Sequence, residues 1–212
     1  MRIALIGATG RTGRLVLEDA LRRGHDVSVL VRDSARLAPT SREVRVVEGS
    51  VTDAESVARL LEGSDAVVSA LGPTAKESDL HAVAARNLVA AMSEHGPRRF
   101  VGVSGAGIDV PGDQKSASAT AISWLIQRLG GDVVKDKPAE YAVWAASGLD
   151  WTLVRPPRLV DGTAGTGELE HDAHRSTRST KVVRADLARF VLDVVEQGLY
   201  LGTAPFVATP KG

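Results

Sequence analysis

The stretch MRIALIGATGRTG, Met1 to Gly13, decides the fold. Ile3–Ile6 is a short apolar run that feeds directly into glycines at positions 7, 10 and 13, and a helical pattern begins behind them. Side chains are withheld where something must come close to the main chain. Strand, glycine turn and helix, in that order, form the context of a dinucleotide-binding loop. In such a loop Gly7 turns the chain off the strand, Gly10 admits a pyrophosphate against the backbone, and Gly13 lets the helix lie close on the sheet. Free N–H groups of the first helical turn, with the helix dipole, then hold the anion. The first gap is one residue longer than in G-x-G-x-x-G, and a ligand-free strand-to-helix turn is the plain alternative.

The pattern repeats along the chain. Val27–Val31, Val44–Val47, Ala66–Ser69, Phe100–Val103 and Trp151–Val154 are short apolar runs without alternation, as parallel strands covered on both faces read. Helices are expected at Thr12–Arg23, closed by Gly24, and behind an N-cap at Asp53. Others are expected at Asp79–His95, stopped by Gly96-Pro97, at Tyr141–Ser147, and from a cap at Asp186 to about Glu196. Pro205–Ala208 reads as a last strand. A βαβα succession implies an α/β fold: a Rossmann-like doubly wound parallel sheet in three α/β/α layers, one domain over residues 1–212. Two segments break the rhythm. A helical insertion at about 109–131 carries Ile122, Leu125, Ile126 and Leu129 on one stripe of Ser116–Leu129, and 161–180 reads as a substrate-side loop or short hairpin. Ligands of such sheets bind beyond the carboxyl ends of the strands, where strand order switches. Candidate chemistry is therefore expected at Gly7–Gly13, Arg32, Ser69–Pro73, Ser104–Gly107 and Arg155–Arg158.

Bulk composition excludes several classes. Lys and Arg number 26 and Asp and Glu 26, so no net field draws nucleic acid or an anionic membrane. Cysteine is absent, which removes disulfides, thiolate metal sites and thiol catalysis. No run approaches the roughly 18 apolar residues of a membrane span, and Ile3–Ile6 is too short for a signal sequence. A cytoplasmic protein is expected, with monomer and homodimer both open.

The end of the second strand bears on the cofactor. A carboxylate there accepts both ribose hydroxyls of NAD, whereas an arginine accommodates a 2′-phosphate. Here Val31 is followed by Arg32 and only then by Asp33. A guanidinium forks onto phosphate, and Arg11 and Arg36 add charge, so NADP(H) is favoured. NAD(H), with Asp33 on the ribose, is the alternative.

Gly7-Ala-Thr-Gly-Arg-Thr-Gly13, Val27-Ser-Val-Leu-Val-Arg-Asp33, Ala85-Arg-Asn-Leu-Val-Ala-Ala-Met92 and Ser147-Gly-Leu-Asp-Trp-Thr-Leu-Val-Arg-Pro-Pro157 together resemble the atypical short-chain dehydrogenase/reductase superfamily. The resemblance is to its NAD(P)H-binding group of flavin reductase/biliverdin-IX beta reductase and NmrA-like proteins. It implies that Gly7, Thr9, Gly10, Arg11, Thr12 and Gly13 hold the pyrophosphate and that Arg32 meets the 2′-phosphate. It further implies Ser50 and Val51 by the adenine, Ala70, Leu71 and Gly72 along the ribose, and Ser104 and Pro156 near the nicotinamide. Ser50 stands where members of the group often carry Asp.

The Tyr-x-x-x-Lys pair of mainstream short-chain dehydrogenases is missing: Ala145 follows Tyr141 at that spacing, and Ala204 follows Tyr200. Carbonyl reduction benefits from a positioned acid. Conjugated acceptors delocalise the arriving charge, so the gap favours a flavin, quinone or tetrapyrrole-like acceptor. Ser104 is the candidate catalytic residue, with a satisfied turn serine as the alternative. Trp124, Lys137 and Tyr141 are candidate substrate residues, against a solvated helix start for Lys137 and Glu140 and a core role for Tyr141 and Trp144. His171 and His174 beside Glu168, Glu170 and Asp172 read as a solvated loop, so no metal site is expected. The reading is an NADPH-dependent reductase. Its rivals are a non-catalytic NADP(H)-binding redox sensor and an epimerase-like enzyme retaining NAD.

Overall fold

The computed structural model describes residues 1–72, 78–116, 120, 121, 124, 128, 131–165 and 168–210. Six parallel strands form the central sheet: β1 (Arg2–Ile6), β2 (Asp26–Val31), β3 (Arg45–Glu48), β4 (Ala66–Ser69), β5 (Arg99–Val103) and β6 (Asp150–Val154). Their order is β3-β2-β1-β4-β5-β6. β1 pairs with β2 on one side and β4 on the other, so the chain winds outward twice from the middle and leaves its switch point between β1 and β4. The helices are α1 (Arg11–Arg22), α2 (Ala54–Leu61), α3 (Leu80–His95), α4 (Gly131–Ala145) and α5 (Arg184–Glu196). Short strands complete the carboxyl-terminal side. β7 (Arg158–Val160) runs parallel to β9 (Lys181–Val183), and β8 (Glu170–Asp172) pairs antiparallel with β10 (Phe206–Ala208).

The continuous apolar runs are explained by the two cores. Ile3, Leu5, Val27, Val29 and Val68 pack with Val16, Leu17, Leu187 and Val191, under α1 and α5. Their neighbours Ala4, Ile6, Leu30 and Val67 pack with Val57, Leu60, Leu88 and Trp144, under α2, α3 and α4. Alternate side chains thus point to opposite faces, and both faces are dry. Phe100 and Trp144 stack with centroids 3.7 Å apart, closing the second core. Next to Phe100, at the start of β5, Arg99 is partly buried, which pushes its guanidinium down to about 10. It donates to the carbonyls of Asp150, Val194 and Leu199 and to Thr152 Oγ1, tying β6 and α5 together.

Several expected boundaries move. α4 begins at Gly131 and runs through Pro138, so the helix expected only from Tyr141 is ten residues longer at its start. Proline removes one helical hydrogen bond, but α4 packs along α3 and that burial outweighs a single lost bond. Asp186 does not cap α5. The helix starts at Arg184 behind Val183, and Asp186 is buried in its first turn, accepting from Gly165 N–H and Thr209 Oγ1. The 161–180 segment is not a self-contained hairpin, because β8 pairs with β10 and β9 with β7. Of the helix expected at Ser116–Leu129, residues 120, 121, 124 and 128 are helical; its apolar stripe lies outside the described residues.

Trp144 is fully buried on the stacked ring of Phe100. Trp144→Ala is expected to lower stability by about 3–5 kcal/mol, measured as a fall in the urea unfolding midpoint.

Candidate functional site

The glycine loop is fixed by close approach. Gly7 has φ +84°, and a Cβ there would meet the Ala70 carbonyl oxygen at 2.6 Å. A Cβ on Gly13 would lie 2.0 Å from the Gly7 carbonyl oxygen, so no side chain fits while α1 rests on β1. Gly10 is different: its Cβ would meet only the Gly7 carbonyl oxygen, at 3.2 Å, and otherwise face open space. Gly10 is also the N-cap of α1, with no capping side chain and no acidic residue in the first turn. Helix-start donors without a protein acceptor, behind bare backbone, suit an anion.

Above this loop a cleft of about 240 Å³ opens at the β1/β4 switch. Gly7, Thr9 and Gly10 form its floor, Arg32, Ser50 and Val51 one side, and Ala70, Leu71 and Gly72 the other. The structure therefore brings these nine expected residues together. Arg36 and Gly49 also line it. Gly49 is close-packed, since a Cβ would lie 2.1 Å from Ser56 Oγ, and nothing in its sequence neighbourhood announced this.

Charge at the open end is arranged in a definite way. Arg32 and Arg36 are exposed and form no ion pair among the described residues. Asp33 turns away: its carboxylate accepts the Ala35 N–H at 3.1 Å and caps the turn Ser34–Arg36. Hydrogen bonds from Ser34 hold the Glu48 carboxyl below its usual range, and that group is likewise engaged. Asp33 is not among the residues that line the cleft. Arg11 and Thr12 are not on the cleft wall. Arg11 reaches Asp161 at 3.5 Å, across to the substrate-side segment, and Thr12 is buried.

Ser104 and Pro156, at the carboxyl ends of β5 and β6, are not among the residues that line this cleft. Ser104 N–H donates to the Val154 carbonyl, and Ala106 N–H to that of Pro156, so Ser104 and Pro156 sit on adjoining chain ends. Ser104 Oγ donates to Glu140 Oε2 at 3.4 Å, and Lys137 Nζ donates to the same oxygen at 2.9 Å. The solvated helix start expected for Lys137 and Glu140 is thus corrected. Both lie inside α4, and Glu140 is 6% exposed. Tyr141 is partly buried against the core, where its ring meets Trp151 edge-on at 5.8 Å near the start of β6, in keeping with the core role. Trp124 is exposed, with Arg128 over its ring at 5.2 Å.

Arg155, at the end of β6, is fully buried and structural. It pairs through both terminal nitrogens with Asp113 at 2.6 Å and lies over the Phe206 ring at 3.8 Å. Glu170 and Asp172 accept loop N–H groups of Arg178, His174 and Arg175, and His171 bonds Tyr200. No group of metal-ligating residues converges among the described residues. One pair went unremarked in the sequence. His81 and Asp136, both buried, meet at 2.8 Å, and His81 Nε2 reaches the Leu71 carbonyl on the cleft wall at 3.2 Å.

Sheet order, glycine loop and cleft define a dinucleotide-binding domain of the Rossmann type. Residues 7–198 match the model of the NAD(P)H-binding family, and the chain belongs to that family. A solved protein of Burkholderia pseudomallei is 30% identical, with a TM-score of 0.77 over 98% of this chain and 99% of that one. The Bacillus subtilis protein YwnB is 27% identical over 213 residues, 92% of each chain. A short-chain dehydrogenase/reductase of Veillonella parvula, solved in complex with NADP, shares the fold at 20% identity, with a TM-score of 0.81 over 99% of this chain and 94% of that one. No helix among the described residues is long and apolar enough to cross a membrane.

The two glycines separate packing from binding. Gly10→Ala is expected to keep its melting temperature within about 3 °C and to weaken dinucleotide binding at least about tenfold. Gly13→Ala is expected to lose both, as melting curves and cofactor titration will show.

Proposed function

We propose that the chain is a reductase that takes NADPH in the β1/β4 cleft and passes hydride to a small conjugated acceptor of flavin, quinone or tetrapyrrole-like type. The observation that carries this reading is an arginine-lined end of the cleft combined with a far end that holds no tyrosine among the described residues. Arg32 and Arg36 are available to fork onto a 2′-phosphate, while Asp33 is committed to its own turn. The bare N–H groups behind Gly10 take the diphosphate, and the walls at Ser50–Val51 and Ala70–Gly72 flank the adenine and ribose.

Bound NADPH supplies the hydride, and the protein binds, orients and keeps water out. Ser104 donates its own proton to Glu140, so its oxygen is left as an acceptor suited to the carboxamide N–H of a nicotinamide. Pro156 backs the same place. Lys137, held by Glu140, lines the acceptor side, and the exposed Trp124 ring is a surface on which a flat acceptor stacks. An acceptor that spreads the incoming charge takes its proton from solvent, so this site runs without a tyrosine acid. We place the protein in the cytoplasm, where a pool of reduced nicotinamide cofactor is at hand.

Two measurements test the reading. Arg32→Ala with Arg36→Ala is expected to weaken NADPH about 100-fold and leave NADH within about threefold, as two lost charge-assisted contacts imply. Wild-type protein is expected to oxidise NADPH in the presence of flavin mononucleotide or a quinone. Tight NADPH binding without turnover across an acceptor panel would overturn the reductase and leave a redox sensor.

A further inference from the structure

We propose that the buried His81–Asp136 pair is a positioning device for the cofactor. It holds the Leu71 carbonyl inward and thereby aims the Gly72 N–H at a ribose hydroxyl of the bound dinucleotide. The inference rests on the cofactor reading given above.

His81 and Asp136 side chains are each 2% exposed. Asp136 comes from α4 and reaches the start of α3. Its Oδ2 accepts the His81 N–H at 2.7 Å, and its Oδ1 accepts the Ala82 N–H at 2.9 Å. Asp79, the residue preceding α3, makes no capping bond of its own, so a carboxylate from another helix caps α3 in its place. That task needs no histidine. The imidazole is an addition to the cap, with Nδ1 2.8 Å from Asp136 Oδ2 and Nε2 3.2 Å from the Leu71 carbonyl oxygen. A backbone carbonyl can only accept, so a ring bonded to Leu71 donates from Nε2. The ring is therefore a donor to the cleft wall, fixed from behind by an anion.

The consequence for the wall follows from peptide geometry. In a planar trans peptide the carbonyl and the following N–H point in opposite directions, and the described residues contain no cis bond. With the Leu71 carbonyl drawn toward α3, the Gly72 N–H points away from α3, to the side on which Leu71 and Gly72 line the cleft. Two residues earlier on this wall, Ala70 N–H is already used, donating to the Ile6 carbonyl at 2.9 Å. No atom of the described residues lies within 4 Å of where a Cβ on Gly72 would stand, which leaves room for a ligand at its backbone. The same helix that carries Lys137 and Glu140 beside Ser104 thus also sets this wall, through Asp136.

The test compares two replacements in the full chain. His81→Gln keeps an N–H that reaches Leu71, whereas His81→Leu fills similar space without a donor. By fluorescence titration, His81→Leu is expected to bind NADPH about tenfold more weakly than wild type and His81→Gln within about threefold. Equal affinity of His81→Leu and wild type overturns the proposal, and so does a loss in His81→Gln as large as that in His81→Leu, which would mark a purely structural role. Ring ¹⁵N spectra of wild-type protein give a second measurement that stands even if the leucine variant fails to fold. A proton on His81 Nε2 is expected, and a bare Nε2 overturns the latch. Wild-type protein that binds no NADPH while showing a protonated Nε2 would sink the cofactor reading and with it the proposed role in binding.

Discussion

The structure depends on one close approach, the seating of α1 against the turn that leaves β1. A Cβ on Gly13 would stand 2.0 Å from the Gly7 carbonyl, and one on Gly7 would strike Ala70 at 2.6 Å. These contacts bring β1, α1 and the end of β4 into a common corner. The corner is both the switch point of the sheet and the floor of the cleft. Helix-start donors are available there because the same absence of side chains that permits the packing leaves nothing to cap them. Packing and anion affinity are two results of one constraint.

Around that corner the site divides into an end that reads charge and an end that reads shape. Arg32 and Arg36 are exposed at one end of the cleft, with Asp33 folded onto its own turn. At the far end Ser104, Glu140 and Lys137 are held between β5 and α4. A buried carboxylate with two donors on one oxygen keeps its neighbours in place through geometry that solvent screens little.

Much of this was legible in the sequence, for identifiable reasons. Short uninterrupted apolar runs imply strands covered twice, and glycine spacing after the first of them implies close approach, so the sheet, the loop and the cleft wall at Ala70–Gly72 followed. What escaped reading depends on distance in the chain. Asp136 caps a helix 54 residues before it, and no local pattern announces a cap supplied from elsewhere. Pro138 and the Gly130-Gly131 pair are breakers by local rules, yet α4 forms through the proline because α3 offers it a surface. Arg155 reads as a reactive strand-end cation, whereas zero exposure and a bidentate partner make it a fastening. Local chemistry is readable from spacing, but partnership across the fold is not.

The fastening has a consequence for how such a domain diversifies. Arg155 grips Asp113 while the backbone of Gln114 and Ser116 is stitched to His174 and Ser176. The two segments that overhang the far end are thus a single panel hinged on β6. Swapping either one alone for the equivalent piece of a relative would leave half of a seam without its mate.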